Sequence, residues 1–357
     1  MIIAIDLRCL DSNLKNGVSV YAYNLVRQLI LNDSENYYKL FTNRQTINYL
    51  FDDLESKNFK FYNFNIPNKI LNFLLIFFKF PKLDKIIDGA DIFLLLNFNF
   101  IALSKNTKLI TTVHDLSFVF MTEFLNLKRK IWHYALNVKR TIKTSSKIIA
   151  VSKNTKNDII NLYKVNSEKV EVVYPGIQKI TIENTPKSNY ILSIATLEPR
   201  KNLTTLIEAF IDLVDKNSLV DWKLVILGQR GWLNKKIISL IKNNKYSKFI
   251  DYINSPDQEK VAYYLNRAKI FVWPSYYEGF GFPPQEALNL EIPIIASFNS
   301  SLTETLKNKA IFINPFNVNE LTEAMELIIN KRPKPASSKI FDWQISAQKL
   351  INIFKYL

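Results

Sequence analysis

The stretch Trp273-Pro274-Ser275-Tyr276-Tyr277-Glu278-Gly279-Phe280-Gly281-Phe282-Pro283-Pro284-Gln285-Glu286-Ala287-Leu288 decides how this chain is read. The apolar run Ile270 to Trp273 stops at Pro274 and a helical pattern starts near Pro284, so the order is strand, glycine-containing loop, helix. Freed backbone N–H groups and the positive helix end make such a loop an anion site. Two carboxylates, Glu278 and Glu286, stand eight residues apart there, where a bare phosphate would repel them. Ionised carboxylates accept hydrogen bonds only and can hold adjacent sugar hydroxyls. An anion site joined to a polyol site is the chemistry of a sugar nucleotide.

Working outward, the same strand–helix alternation runs through most of the chain. Strands are predicted at 2–7, 37–42, 59–64, 91–96, 108–113, 147–151 and 170–174, then at 190–195, 222–227, 249–253, 269–273, 292–296 and 310–314. Helical patterns fall at 17–31, 128–144, 153–163, 202–217, 232–242, 257–267, 284–290 and 318–330. Many strands are continuous apolar runs, such as Leu224-Val225-Ile226-Leu227, which implies burial on both faces. The expected fold is α/β, with two Rossmann-like doubly wound parallel sheets. A Pro/Asn/Ser-rich connection at 176–189 separates a first domain, 1–177, from a second, 186–337. A terminal helix, 338–357, is expected to pack back on the first. Ligands collect at the carboxyl ends of parallel strands. That singles out His114-Asp115, Glu198-Pro199-Arg200-Lys201-Asn202, Gly228-Gln229-Arg230-Gly231 and the Glu278–Glu286 segment. The chain holds seven glycines, and all but Gly89 follow a strand or precede a helix, where positive φ or close backbone approach is useful.

Composition narrows the partners. At 357 residues and 48% hydrophobic the chain is globular, and its net charge is +15. Residues 1–170 carry 24 Lys/Arg against 14 Asp/Glu, so most of the excess lies there. Within them Leu71-Asn72-Phe73-Leu74-Leu75-Ile76-Phe77-Phe78 is flanked by Lys69, Lys79, Lys82 and Lys85. It is too short to span a bilayer. It reads either as an interfacial helix on an anionic membrane or as a helix packed on the sheet. No aromatic–basic RNA motif, zinc spacing or helix-turn-helix pattern points to nucleic acid. The single cysteine, Cys9, excludes an internal disulfide and suits a reducing compartment, and Met1 to Leu7 reads directly as a strand. A cytoplasmic protein, peripheral on the inner face of the membrane, is the expectation.

These residues resemble glycosyltransferase family 4, in the branch that includes many bacterial mannosyltransferases, and the likeness covers nearly the whole length. Tyr277 to Leu288 is similar to the family's E-x7-E block, and Thr196-Leu197-Glu198-Pro199-Arg200-Lys201-Asn202-Leu203 to its E-P-R-K-N segment. Val113-His114-Asp115-Leu116, Ile149-Ala150-Val151-Ser152 and Tyr174-Pro175-Gly176-Ile177 match segments of its first domain. The resemblance implies a GT-B fold, two domains facing across a cleft. It implies a retaining, metal-independent transfer of a hexose, first of all mannose from GDP-mannose, to a lipid-linked oligosaccharide of a surface glycan such as O-antigen or capsule. Glu286 would bind the ribose hydroxyls and Glu278 would lie at the transferring sugar. Gly279, Phe280, Gly281 and Phe282 would present backbone N–H groups to the donor. Lys201 with Arg200 would neutralise the leaving diphosphate, helped by Arg230, and His114 would touch the sugar across the cleft. Preorganised cations of that kind lower a barrier by roughly 3–4 kcal/mol. No Asp-x-Asp pair or His/Cys cluster suggests a metal, and no cofactor beyond the donor nucleotide sugar is expected.

The chain departs from the family at three places. The early glycine-rich turn is reduced to Asn16-Gly17-Val18, leaving Gly17 alone to approach the donor; Ala195 and Thr196 stand where some relatives carry an Arg; and Glu291 stands where relatives have Gly. Alternatives of other classes are a GT-B sugar-nucleotide epimerase and an inactive, transferase-like binding subunit.

Overall fold

The structure is a computed structural model that describes residues 1–331 and 341–357, apart from 12, 15, 44, 57, 179, 183–184 and 218–220. The expected boundary at 337 and the first residues of the expected terminal helix lie outside the described residues. Two compact units are present. Unit 1 comprises Met1–Leu116, Lys128–Gly176 and Phe341–Leu357, and unit 2 comprises Ser117–Leu127 and Ile177–Ile340.

Unit 1 is built on strands β1 (Ile2–Asp6), β2 (Tyr37–Thr42), β3 (Phe59–Asn63), β4 (Ile92–Leu95), β5 (Lys108–Val113), β6 (Lys147–Ala150) and β7 (Val170–Val172). Unit 2 is built on β8 (Tyr190–Ile194), β9 (Lys223–Gly228), β10 (Ile250–Asn254), β11 (Ile270–Trp273), β12 (Ile294–Ser297) and β13 (Ile311–Ile313). All pairings are parallel, in the orders β3-β2-β1-β4-β5-β6-β7 and β10-β9-β8-β11-β12-β13. Central strands are buried along their length, as the apolar runs required: all four residues of β4, β11 and β12 are buried.

The helices are α1 (Gly17–Asn32), α2 (Asn68–Phe77), α3 (Leu83–Ile86), α4 (Ser117–Phe120), α5 (Leu127–Leu136), α6 (Val138–Thr144) and α7 (Lys153–Tyr163), followed by α8 (Leu203–Asn217), α9 (Lys235–Lys242), α10 (Gln258–Arg267), α11 (Phe282–Asn289), α12 (Leu302–Leu306), α13 (Val318–Lys331) and α14 (Trp343–Lys355). The pattern 128–144 resolves into two helices. Asn137 adopts φ 47°, which an α-helix excludes, and its side chain accepts from the Arg140 N–H to cap α6. Gly89 is not incidental: its φ is +84°, and its N–H donates to the Asp84 carbonyl at 2.8 Å to close the turn after α3. The buried Lys39 ammonium donates to the carbonyls of Ile87, Asp88 and Gly89 at 2.8–2.9 Å, a cation where the helix end leaves acceptors free.

Residues 117–127 follow β5 in the sequence, yet they belong to unit 2. Aromatic stacking explains it. Phe124 stacks on Tyr276 at 5.5 Å, Tyr276 stacks on Phe316 at 4.8 Å, and Trp232 Nε1 donates to the Phe124 carbonyl at 2.6 Å. At the other end of the chain, α14 returns to unit 1. Trp343 lies edge-on to Tyr21 of α1 at 5.7 Å, and the Ser346 hydroxyl donates to the Tyr174 carbonyl at 2.6 Å. A Cβ on Gly176 would sit 2.3 Å from Trp343, so only glycine permits that approach.

Candidate active site

Strand order creates the site. In unit 2 the order reverses between β8 and β11, which lie side by side through Ile270–Ile191 and Phe271–Leu192. A reversal of that kind opens a crevice at the carboxyl ends of the strands. The segments leaving β8 and β11 there are 195–202 and 274–281, so residues 77 and 78 positions apart in sequence become neighbours.

Four side chains form one ionic cluster. Lys201 Nζ donates to Glu278 Oε1 at 2.6 Å, and Arg200 Nη1 lies 3.3 Å from Glu278 Oε2. Arg200 also donates through Nη2 and Nε to Glu198 Oε1, at 2.9 and 3.2 Å, and through Nη1 to the Tyr277 carbonyl at 2.8 Å. The Lys201 ammonium stands 4.8 Å from the centre of the Trp273 ring. Burial would raise the Glu278 pKa, but the charges of Lys201 and Arg200 outweigh it and hold the carboxyl below its ordinary value. Arg200 and Lys201 lie in the short 3-10 turn Pro199–Lys201, one residue ahead of α8. The expected helix at 202–217 therefore starts at Leu203, because Asn202 takes φ 54°.

Asn202 and the segment after β12 hold the cluster in place. Asn202 Nδ2 donates to the carbonyls of Pro274 and Pro315, at 3.0 and 2.7 Å, and its Oδ1 accepts from the Thr205 hydroxyl at 2.7 Å. The Tyr276 N–H donates to the Arg200 carbonyl at 2.9 Å. On the other side, Asn299 Nδ2 donates to the carbonyls of Ser275 and Tyr276, and the Ser301 hydroxyl donates to the Glu278 carbonyl at 2.9 Å. The Glu278 N–H donates to the Ser300 hydroxyl at 3.0 Å. The loop carrying Glu278 is thus pinned from both flanks.

Glu286 has a different environment. It sits on α11, half-buried, and no side chain among the described residues pairs with its carboxylate. Burial alone pushes its pKa up to about 7. The helix expected from Pro284 begins at Phe282, with Gly281 as its N-cap at φ +87°, a conformation that disfavours any side chain. Of the four leading positions whose N–H groups an α-helix leaves unpaired, two are Pro283 and Pro284, which carry none. The first turn of α11 therefore offers few N–H donors. Phe280 and Phe282 pack edge to face at 5.3 Å, and the Phe280 carbonyl accepts from the Thr305 hydroxyl at 3.4 Å.

Arg230 is exposed. Its backbone bridges to Leu197, next to Glu198, and its side chain partners the hydroxyl of Tyr252, whose pKa burial raises. The structure therefore places it apart from the Glu278 ion pairs. Gly228 and Gly231 serve this crossing: a Cβ on either would meet the Ala195 or Leu197 carbonyl at 2.0 or 2.7 Å.

Two of the expected residues belong to unit 1. His114 follows β5, and its Nε2 lies 2.9 Å from the Leu96 carbonyl beyond β4. A carbonyl can only accept, so Nε2 carries the proton and Nδ1 of the neutral ring is an acceptor. Burial lowers its pKa and favours that neutral form. Tyr21 of α1 meets the ring edge-on at 4.7 Å. Gly17 opens α1 behind the Asn16 cap, which accepts from the Ser19 N–H at 2.9 Å. Burial and the neighbouring Asp6 push the Cys9 thiol up to about 12, which disfavours its thiolate.

The sequence alone assigns no role to Glu198, Asn202, Asn299, Ser300 and Ser301. Glu198 and Asn202 lie inside the E-P-R-K-N segment, which signalled importance without distinguishing cations from their holders. Among the described residues no three His, Cys, Asp or Glu side chains gather as a metal-ligand set.

Comparison with known proteins follows the same division. Residues 178–340 match the family described as Glycosyl transferases group 1, and residues 15–179 match Glycosyltransferase Family 4. The O-antigen chain mannosyltransferase B of Escherichia coli is 25% identical over 281 residues, 72% of this chain and 73% of that protein. The O-antigen chain mannosyltransferase RfbU of Salmonella typhimurium is 28% identical over 209 residues, and the match spans 57% of this chain and 56% of that protein. Among solved structures, sucrose-phosphate synthase from Thermosynechococcus elongatus superposes with a TM-score of 0.75 at 17% identity, covering 100% of this chain and 98% of that one. Anabaena HepE in complex with UDP-glucose gives 0.75 at 15% identity and covers 100% of both. At such identities the likeness is one of fold.

Proposed function

Because the chain belongs to the glycosyltransferases of group 1 and family 4, we propose that it moves a hexose, with retention, from a nucleoside diphosphate to a lipid-linked glycan. The observation that carries this reading is the Glu198–Arg200–Glu278–Lys201 cluster at the strand-order reversal of unit 2, with Glu286 on the helix that follows. Glu278 is ionised and offers its oxygens to sugar hydroxyls, and Glu286 faces ribose hydroxyls. Lys201 answers the charge that builds on the diphosphate. The bond from C1 to the phosphate oxygen breaks and its electron pair stays with the diphosphate. The acceptor hydroxyl adds to C1 from the same face and passes its proton to the departing oxygen. No protein nucleophile is needed, and cationic side chains take the place of a metal. The family resemblance assigns the sugar's hydroxyls to His114, a neutral ring with an acceptor at Nδ1. The mannosyltransferase relatives make GDP-mannose the first donor to test.

The acceptor reading rests on the surface of unit 1. On and beside α2, Ile70, Phe73, Phe77, Phe78 and Phe80 are each more than half exposed, among Lys69, Lys79, Lys82 and Lys85. Exposed aromatics ringed by cations suit an anionic bilayer, at which a lipid-linked acceptor resides. No helix among the described residues is long and apolar enough to cross a membrane. A cytoplasmic enzyme, peripheral on the inner face of the cytoplasmic membrane, is the reading proposed.

Thermal melting against GDP, UDP, ADP and their sugar conjugates tests the donor site. A ligand at 100 times its Kd stabilises by about 2.7 kcal/mol, a shift of several degrees. One nucleotide family should shift wild type and fail to shift Glu286→Ala. No shift with any nucleotide would refute the site assignment.

A further inference from the structure

The ionic cluster of unit 2 is already complete. Two cations face two carboxylates, and the four side chains are 4–18% exposed, so no positive charge is left over for a diphosphate. The two cations are held unequally. Arg200 is fixed by Glu198, by the Tyr277 carbonyl and by Glu278. Lys201 is held by Glu278 and the face of Trp273. A lysine is a point charge on a flexible stem with rotatable donors, whereas an arginine fork bound on three sides is committed. We propose that Lys201 and Glu278 exchange partners when the donor binds. Lys201 turns from Glu278 to the diphosphate, and Glu278 takes the sugar's hydroxyls in its place. Glu278 thereby sets the preference for a nucleoside diphosphate sugar over the nucleoside diphosphate.

The inference rests on the donor reading above and adds a consequence to it. A nucleoside diphosphate draws Lys201 away and leaves the buried Glu278 carboxylate with Arg200 alone, 3.3 Å off and shared with Glu198, which is costly. The intact donor satisfies both halves of the broken pair. Once the sugar has been transferred, Glu278 is left with the shared Arg200 alone and draws Lys201 back, which favours departure of the diphosphate. Glu198 is the positioning residue in this arrangement, because it keeps Arg200 from following the phosphate.

Calorimetric titration of wild type and Glu278→Gln with GDP, GDP-mannose, UDP and UDP-glucose tests it. The substitution removes the charge that competes for Lys201 and keeps the shape. In the variant the diphosphate of the recognised pair should bind about tenfold tighter or more, while its sugar conjugate does not tighten. An unchanged diphosphate Kd, or equal tightening of both ligands, overturns the exchange and leaves the donor reading standing. Failure of all four ligands to bind wild type overturns both. If Glu278→Gln does not fold, a crystal structure of wild type with the bound diphosphate decides. The exchange requires Lys201 Nζ to lie beyond about 4 Å of Glu278, the limit of an ion pair. A pair still closed at 2.6 Å would refute it.

Discussion

Replacing Glu286 by Gln should stabilise the protein at high pH and leave it unchanged at low pH. The carboxyl's pKa is raised by burial from 4.5 to about 7, so the folded chain holds a proton that the unfolded chain releases. Below pH 4.5 both states are protonated and there is no penalty. Between 4.5 and 7 the penalty on folding grows, and above 7 it is constant. At 1.36 kcal/mol per unit, wild type is less stable than Glu286→Gln by about 3 kcal/mol at pH 8. For a unit of this size that is a gap of roughly 6–12 °C in Tm. Melting curves of both proteins at pH 5 and pH 8 measure it directly. The same charge should govern donor binding with the opposite sign, because hydroxyls donate to the ionised form. The ionised fraction rises about tenfold between pH 6 and pH 8, so the donor Kd of wild type should fall about tenfold over that range. A Tm gap that is equal at both pH values would refute the argument from burial.

Three further outcomes follow from the packing. Asn202→Ala leaves the Pro274 and Pro315 carbonyls unpaired and puts Ala at positive φ, so urea denaturation should show a loss of roughly 3 kcal/mol. Activity should fall with it, because the Glu278 loop loses an anchor. Gly176→Ala forces a methyl against Trp343 and should destabilise unit 1 by about 3 kcal/mol, and a loss below about 0.5 kcal/mol would show that α14 does not dock there. Reversing Lys79, Lys82 and Lys85 to Glu should weaken sedimentation with anionic vesicles by about a hundredfold or more, at about 1 kcal/mol per lysine. Unchanged sedimentation would refute the membrane face.

Strand positions were legible because parallel strands buried on both faces leave uninterrupted apolar runs, and β4, β11 and β12 show them plainly. The site was legible as segments, since the residues that must reach a ligand cluster at strand ends. What the sequence could not carry is which residue holds which. Glu278 and Glu286 look alike in an E-x7-E block, but one is kept ionised by two cations and the other is raised toward neutrality by burial. Arg200 and Lys201 look like free cations until Glu198 and Glu278 are found against them. Sequence adjacency places residues 117–127 in the first domain, whereas Phe124 finds its stacking partner more than a hundred residues later. Glu291, where the family carries Gly, has φ 54°, so its departure from the pattern is a strained backbone and tells nothing of the ligand.

The return of α14 to unit 1 has a consequence for biosynthesis. Trp343, Ala347, Leu350, Ile351 and Phe354 are buried in a unit whose sheet is finished by residue 172, yet they leave the ribosome only after all of unit 2 has been made. Until then the faces of Tyr21 and Gly176 that Trp343 will cover are bare. Unit 1 is thus sealed only after unit 2 has been made. A nascent chain stalled anywhere between residues 180 and 340 therefore exposes an apolar seam beside α1.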